Sequence, residues 1–207
     1  MTHAPSRNAD RPVCRVVAVA APIGGGKSAL ADGLAAALGG APPLRFDDYE
    51  HATRQSVDAL GAWLAAGADF DRLQAPGLAN ALHALRAVGD DAPVPTPIVF
   101  EMPLGRAWTA TAADIDLLVW VDVPLDIALA RRLRDICAGL LRRDAADMRN
   151  GVAWLHDYLS HYGGVLHGVL QAQQQTVRPQ ADLVLDGRHD VGTLVGQVRA
   201  FMARHHG

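Results

Sequence analysis

Short, mostly apolar runs alternate along this chain with longer stretches whose apolar residues recur every three or four positions. The runs are Val16-Val17-Ala18-Val19-Ala20, Leu44-Arg45-Phe46, Ile98-Val99-Phe100, positions 115–121 and Ala181-Asp182-Leu183-Val184-Leu185. Runs of this kind predict strands covered on both faces. Between them, Leu30, Leu34 and Leu38 form one helical stripe, and Val57, Leu60 and Leu64 another. Leu78, Leu82, Leu85 and Val88 form a third, and Leu125, Leu129, Leu133, Ile136 and Leu140 a fourth. From Asn150 to Gln173 the stripe runs through Val152, Leu155, Leu159, Tyr162, Leu166 and Val169, despite Gly163-Gly164. Val191, Leu194, Val195, Val198 and Met202 close the chain. Strands that alternate with amphipathic helices predict an α/β sandwich: a parallel sheet with helices on both faces.

Breakers mark the boundaries. Gly39-Gly40 stops the first helix and Pro42-Pro43 prevents it from resuming. Residues 1–11 are polar and read as a disordered leader without the apolar core of a signal peptide. The rest, 12–207, reads as one domain, in which 51–95 is a helical segment largely outside the sheet.

The first strand leads into Ala21-Pro22-Ile23-Gly24-Gly25-Gly26-Lys27-Ser28-Ala29, and a helix follows. Strand, glycine loop and helix in that order are the context of a phosphate-binding loop. The glycines let the backbone curl so that several N–H groups, including those up to Ala29, face one anion. The helix start adds free N–H groups and the positive end of its dipole. Lys27 can reach β- and γ-phosphates as a point charge, and the Ser28 hydroxyl suits Mg²⁺. Ala21 departs from the pattern G-x-x-x-x-G-K-[ST] at its first glycine, which the loop absorbs if φ there is negative.

Composition narrows the partners. With 50 % hydrophobic and 20 % charged residues, the chain is ordinary globular material. A net charge of −3 argues against broad electrostatic binding to nucleic acid or an anionic membrane. No apolar run approaches the roughly 20 residues of a membrane span. Two cysteines, Cys14 and Cys137, are too few for a disulfide framework or a zinc site, so a reduced cytoplasmic setting is expected.

Several strand ends carry acids, and parallel sheets place ligands at that edge. Glu101 and Asp122 both end apolar strands and are candidates to hold Mg²⁺ with Ser28; Glu101 is favoured, because Asp122 precedes Pro124 and can instead cap the next helix. Asp47, after the second strand, is a candidate base that accepts or orients a hydroxyl proton; with Asp48 it can otherwise cap a helix. Arg131 and Arg134 lie one turn apart, with Arg142 on the same stripe, and suit either phosphate oxygens or a solvated helix face. His156, His161 and His167, spaced by five and six, do not stack on one helix face.

On these residues the chain resembles the uridine kinase/phosphoribulokinase-like branch of P-loop small-molecule kinases. The likeness rests on Gly24-Gly25-Gly26-Lys27-Ser28, Asp47-Asp48-Tyr49, Ile98-Val99-Phe100-Glu101, Ala130-Arg131-Arg132-Leu133-Arg134-Asp135 and Ala181-Asp182-Leu183-Val184-Leu185. It implies a five-stranded parallel sheet, ATP and Mg²⁺ as the donor, Asp47 as the base and an arginine-bearing lid over about 135–149. The implied activity is transfer of the γ-phosphoryl group to a hydroxyl of a nucleoside, sugar or vitamin precursor. The family's P-x-Y-D and H-x-R nucleoside contacts are absent from Ala92-Pro93-Val94-Pro95-Thr96-Pro97, so uridine is not the expected acceptor. The alternatives are a nucleotide-binding regulatory protein or a kinase relative without phosphotransfer. Neither the N-K-x-D of GTPases nor the L-S-G-G-Q of ABC-type ATPases occurs. The oligomeric state is open.

Overall fold

A computed structural model describes residues 15–50, 56–91 and 95–205. The expected leader, Cys14 and parts of the 51–95 segment lie outside the described residues. Strand β1 (Val16–Ala20) is wholly buried and pairs in parallel with β3 (Ile98–Glu101) on one side and β4 (Leu117–Asp122) on the other. Strand β2 (Leu44–Arg45) extends the sheet beyond β3, and β5 (Leu183–Asp186) beyond β4. The order β2-β3-β1-β4-β5, parallel throughout, is the α/β sandwich that the periodicities predict.

Alternation along each strand divides the core into two layers, because successive side chains point to opposite faces. Val16, Ala18, Ala20, Phe100, Leu118 and Trp120 face one layer. There they meet α2 (Val57–Ala65) through Trp63, α3 (Leu78–Asp91) through Leu78 and Leu82, and α7 (His167–Val177) through Val177. Val17, Val19, Val99, Leu117, Val119 and Val121 face the other, against α1 (Lys27–Leu38) and α8 (Val191–His205). Short α4 (Thr109–Ala112) lies between β3 and β4. Helix α5 (Leu125–Leu140) follows β4, and α6 (Ala145–His161) returns from it.

Two strands start later than the apolar runs suggest, and the cause is local. Asp116 accepts the Val16 N–H at 2.8 Å, and Asp182 accepts the Leu118 N–H at 2.7 Å. These side chains complete the sheet's hydrogen bonding where the ladders begin, so the carboxylates belong to strand starts. The third helical stripe also fades. Leu78 and Leu82 are buried, but Leu85 is 44 % and Val88 74 % exposed, so of this stripe only the first two residues enter the core.

The expected helix from Asn150 to Gln173 is larger and not purely α. Asp144 caps its start by accepting the N–H groups of Ala146 and Asp147, each at 2.9 Å. Residues Tyr162–Leu166, with Gly163 and Gly164, form a π-helical segment between α6 and α7. The 135–149 stretch comprises the end of α5, a turn and the first turns of α6. Asp122 does not cap α5, which begins behind Pro124 with no side-chain cap. Its carboxylate instead accepts from Trp120 Nε1 and Arg178, each at 3.2 Å. Among the described residues, no helix is long and apolar enough to cross a membrane.

Two stability experiments test this account. Leu34→Ala should cost about 2–5 kcal/mol and Leu85→Ala within about 0.5 kcal/mol, read by urea denaturation with unchanged slope. The second concerns Asp190, which caps α8 and is held below the ordinary carboxylate range by the Thr193 hydroxyl and N–H. The unfolded chain protonates this group first as pH falls, so its contribution is present at neutral pH and is lost below about pH 4. The stability gap between wild type and Asp190→Ala should narrow across that range.

Candidate active site

The parallel sheet puts every strand's carboxyl end on one edge, and the glycine loop leaves β1 at that edge. Gly24 has φ +77°, and a Cβ there would lie 2.1 Å from the Ala128 carbonyl oxygen of α5. Gly26, with φ +95°, caps α1 by backbone alone. Such conformations are open to glycine at little cost. Ala21 is fully buried and keeps a negative φ, so the missing first glycine is accommodated. Leu30 is the first amide to bond back, to Gly26 O at 3.0 Å, and the amides of Lys27, Ser28 and Ala29 precede it. No acid occupies the first turn of α1.

Beneath this loop lies Glu101, the one charged side chain among the described residues that is buried. Its Oε1 accepts from Ser28 Oγ at 2.6 Å and lies 3.5 Å from Lys27 Nζ. Its Oε2 accepts from Arg45, which also pairs with Asp32 of α1. Burial works against the Arg45 charge, but Glu101 and Asp32 outweigh it and hold the guanidinium pKa above its ordinary value. A buried carboxylate without such partners would be strongly destabilising. The strand register places Arg45 beside Glu101 and Glu101 beside Val19, so β2, β3, β1 and α1 meet at this node.

The loop opens onto a cavity of about 450 Å³. Lys27 and Asp47 both line it, Asp47 from the single helical turn Phe46–Asp48 that follows β2. Glu50, Arg132, Tyr158 and Gln173 supply the other polar groups. Neither Asp47 nor Asp48 caps α2, whose cap is Ser56 accepting from Ala59 N at 3.2 Å. Burial raises the Tyr158 phenol pKa, with Arg132 opposing, so the hydroxyl keeps its proton through ordinary pH.

The structure therefore gathers Lys27, Ser28 and Glu101 below the loop, with Gly24, Gly25, Gly26 and Ala29 around it, and lines the adjoining cavity with Lys27 and Asp47. It does not bring Arg131 and Arg134 to the cavity. Arg131 donates to Gly187 O at 2.9 Å, beyond β5, while Arg134 is exposed and pairs with Asp135. Arg132, between them, faces the cavity, and its Nε is buried without a hydrogen-bond partner. Which α5 arginine lines this cavity does not follow from one-turn spacing, because the rotation of a helix about its axis is set by packing. Arg45 was missed too, although a charged residue inside an apolar strand is itself a sign that a buried partner exists.

Mg²⁺ takes hard oxygen ligands. Ser28 Oγ and Glu101 Oε1 are two hard oxygens at one point, and no group of three or more acids, histidines or cysteines gathers among the described residues. That fits an ion carried largely by phosphate and water rather than an all-protein cage.

No protein-family model matches this chain, and no curated protein matches its sequence. Solved structures do. A sugar kinase from Janibacter sp. HTCC2649, unliganded, aligns with a TM-score of 0.50 at 19 % identity, over 92 % of this chain and 95 % of its own. What the two share is the fold, a five-stranded parallel sheet with helices on both faces. A gluconokinase from Sinorhizobium meliloti 1021 aligns at 16 % identity and TM-score 0.50, over 94 % of each chain. The shikimate kinase from Acinetobacter baumannii in complex with shikimate aligns at 13 % and 0.50, over 95 % and 97 %. At these identities the likeness is one of fold. None of these three is a uridine kinase or phosphoribulokinase, so that finer likeness stays with the sequence motifs.

The charged node makes a stability prediction. Arg45→Met should cost about 1–3 kcal/mol, because Glu101 loses its Oε2 partner while keeping Ser28 and Lys27. Adding Glu101→Met should recover a large part of the loss, measured as a double-mutant cycle in urea.

Proposed function

We propose that the protein is an ATP-dependent kinase that transfers the γ-phosphoryl group to a hydroxyl of a small metabolite. The observation that carries this reading is the convergence of Lys27, Ser28 and Glu101 beneath the glycine loop, at the mouth of a cavity that Asp47 also lines. The kinase fold of its structural neighbours supports it, as does the motif likeness to the uridine kinase/phosphoribulokinase-like branch.

Phosphoryl transfer asks a protein mainly for positioning and charge stabilisation. The loop amides and the start of α1 hold the β-phosphate, while Lys27 turns from Glu101 to the phosphate oxygens. Ser28 and Glu101 would hold Mg²⁺, whose contribution is to neutralise charge on the β- and γ-oxygens. Arg132, with an unpartnered buried Nε, is the cavity's second cation and suits an equatorial oxygen of the transferred group. Asp47 orients the acceptor hydroxyl and takes its proton. Arg131 and Arg134, assigned to charge stabilisation from the sequence, pair with Gly187 O and Asp135, so they would serve the transferred group only after leaving those partners, while Arg142 and Arg143 belong to the 135–149 stretch.

Two variants separate binding from chemistry. Lys27→Ala should weaken ATP–Mg²⁺ binding at least about tenfold by calorimetry. Asp47→Asn should keep ATP affinity within about twofold while ADP production, assayed with nucleosides, sugars and vitamin-precursor alcohols, falls about 10²–10⁴-fold. Full turnover in Asp47→Asn would remove it as the base.

A further inference from the structure

The cavity's chemistry speaks to the acceptor, given the kinase reading above. Among the described residues, twelve of the eighteen that line it are apolar, and they include Leu60 and Trp63 of α2, Phe70 and Leu73 in and after the turn Phe70–Arg72, and Leu166, Val169 and Leu170 of the π segment and α7. Trp63 shows the consequence. Its Nε1 is committed to Asp69 O at 2.7 Å, so it offers the cavity only its ring, set edge-on to Phe70 with centroids 5.2 Å apart.

Apart from the two cations and the Tyr158 hydroxyl, the polar groups of the lining are acceptors. Both Gln173 amide hydrogens are spent, because Nε2 donates to Pro103 O at 2.8 Å and Ala21 O at 3.1 Å. What remains of that buried amide is Oε1, an acceptor. Asp47 and Glu50 are acceptors as well, and Tyr158 adds one hydroxyl. The cations of the lining, Lys27 and Arg132, are those the proposed chemistry assigns to phosphate. Among the described residues, a carboxylate on the acceptor molecule, which offers only lone pairs, therefore has no free donor cluster to meet. A sugar with hydroxyls on all sides would bury most of them against hydrocarbon.

We infer that the acceptor is a largely apolar alcohol, neutral or amine-bearing and without a carboxylate. Its body lies against Trp63, Leu60, Leu166 and Leu170, and its O–H and any N–H point to the Asp47–Glu50–Gln173 rim. In the transfer, the acceptor oxygen forms a bond to the γ-phosphorus as the bond from that phosphorus to the β,γ-bridging oxygen breaks. ADP leaves with the electron pair, and the hydroxyl proton passes to Asp47 and then to water.

The test is equilibrium binding, which needs no turnover. The full chain is titrated with 2-naphthalenemethanol, gluconate and shikimate, each with and without a non-hydrolysable ATP analogue and Mg²⁺, following Trp fluorescence and heat. The aromatic alcohol should bind at least roughly tenfold more tightly than either acid. Leu170→Arg, at a half-buried lining position, should invert that order by supplying a guanidinium, with its thermal midpoint checked separately. Equal or tighter binding of gluconate or shikimate by the wild type overturns the inference, as does absence of binding by the aromatic alcohol. Failure of the ATP analogue to bind in its own titration, with the alcohol still bound, overturns the kinase reading and leaves the acceptor chemistry standing.

Discussion

A carboxylate with almost no access to water sits at the edge of this sheet, and the surrounding structure is arranged to make that tolerable. Glu101 is 2 % exposed, and the desolvation cost of a lone buried charge is large enough to unfold a domain of this size. Arg45, Lys27 and Ser28 meet it from β2 and α1, two elements separated from β3 in sequence and brought to it by the parallel register. In the proposed function, the contacts that satisfy Glu101 are also those that would meet the phosphates. Lys27 holds Glu101 from one side and faces the cavity from the other, so its charge can pass from an internal partner to a ligand with little change of place.

The glycine loop is bound to this node by close packing as well as charge. Gly24 leaves so little space below the Ala128 carbonyl that α5 and the loop fix each other's position. That contact determines which residues of α5 look inward. Arg132 packs beside Gly24 and turns to the cavity, while Arg131 reaches the loop after β5 and Arg134 reaches solvent. Three arginines within four positions thus have three different environments, decided by one backbone approach.

The far wall of the cavity is a single helical column from Ala145 to Val177 that changes its winding in the middle. The π segment at Tyr162–Leu166 offsets the residues after it, and α7 then presents Val169, Leu170 and Gln173 to the cavity while Val177 enters the core. On α6, Trp154 stacks on Tyr158, and Tyr158 lines the cavity, so the column joins an exposed ring to the interior. A wall with so few free donors accepts a narrower range of chemistry than the fold alone allows.

The strands and helices, the parallel sheet and the phosphate loop were legible in the sequence, because each is dictated by local pattern: apolar runs, three- and four-residue spacing, and glycines before Lys27-Ser28. Asp47 and Glu101 were legible as strand-end acids for the same reason. Which acid meets Ser28, which arginine meets the cavity, and the pairing of Arg45 with Glu101 were decided only by tertiary structure. These depend on strand order, helix rotation and register, which bring together residues 56 and 73 positions apart. The character of the cavity was out of reach of the sequence for a further reason. A buried side chain's chemistry is what remains after its neighbours have used its donors, and for Trp63 and Gln173 those neighbours are backbone carbonyls that no residue pattern names.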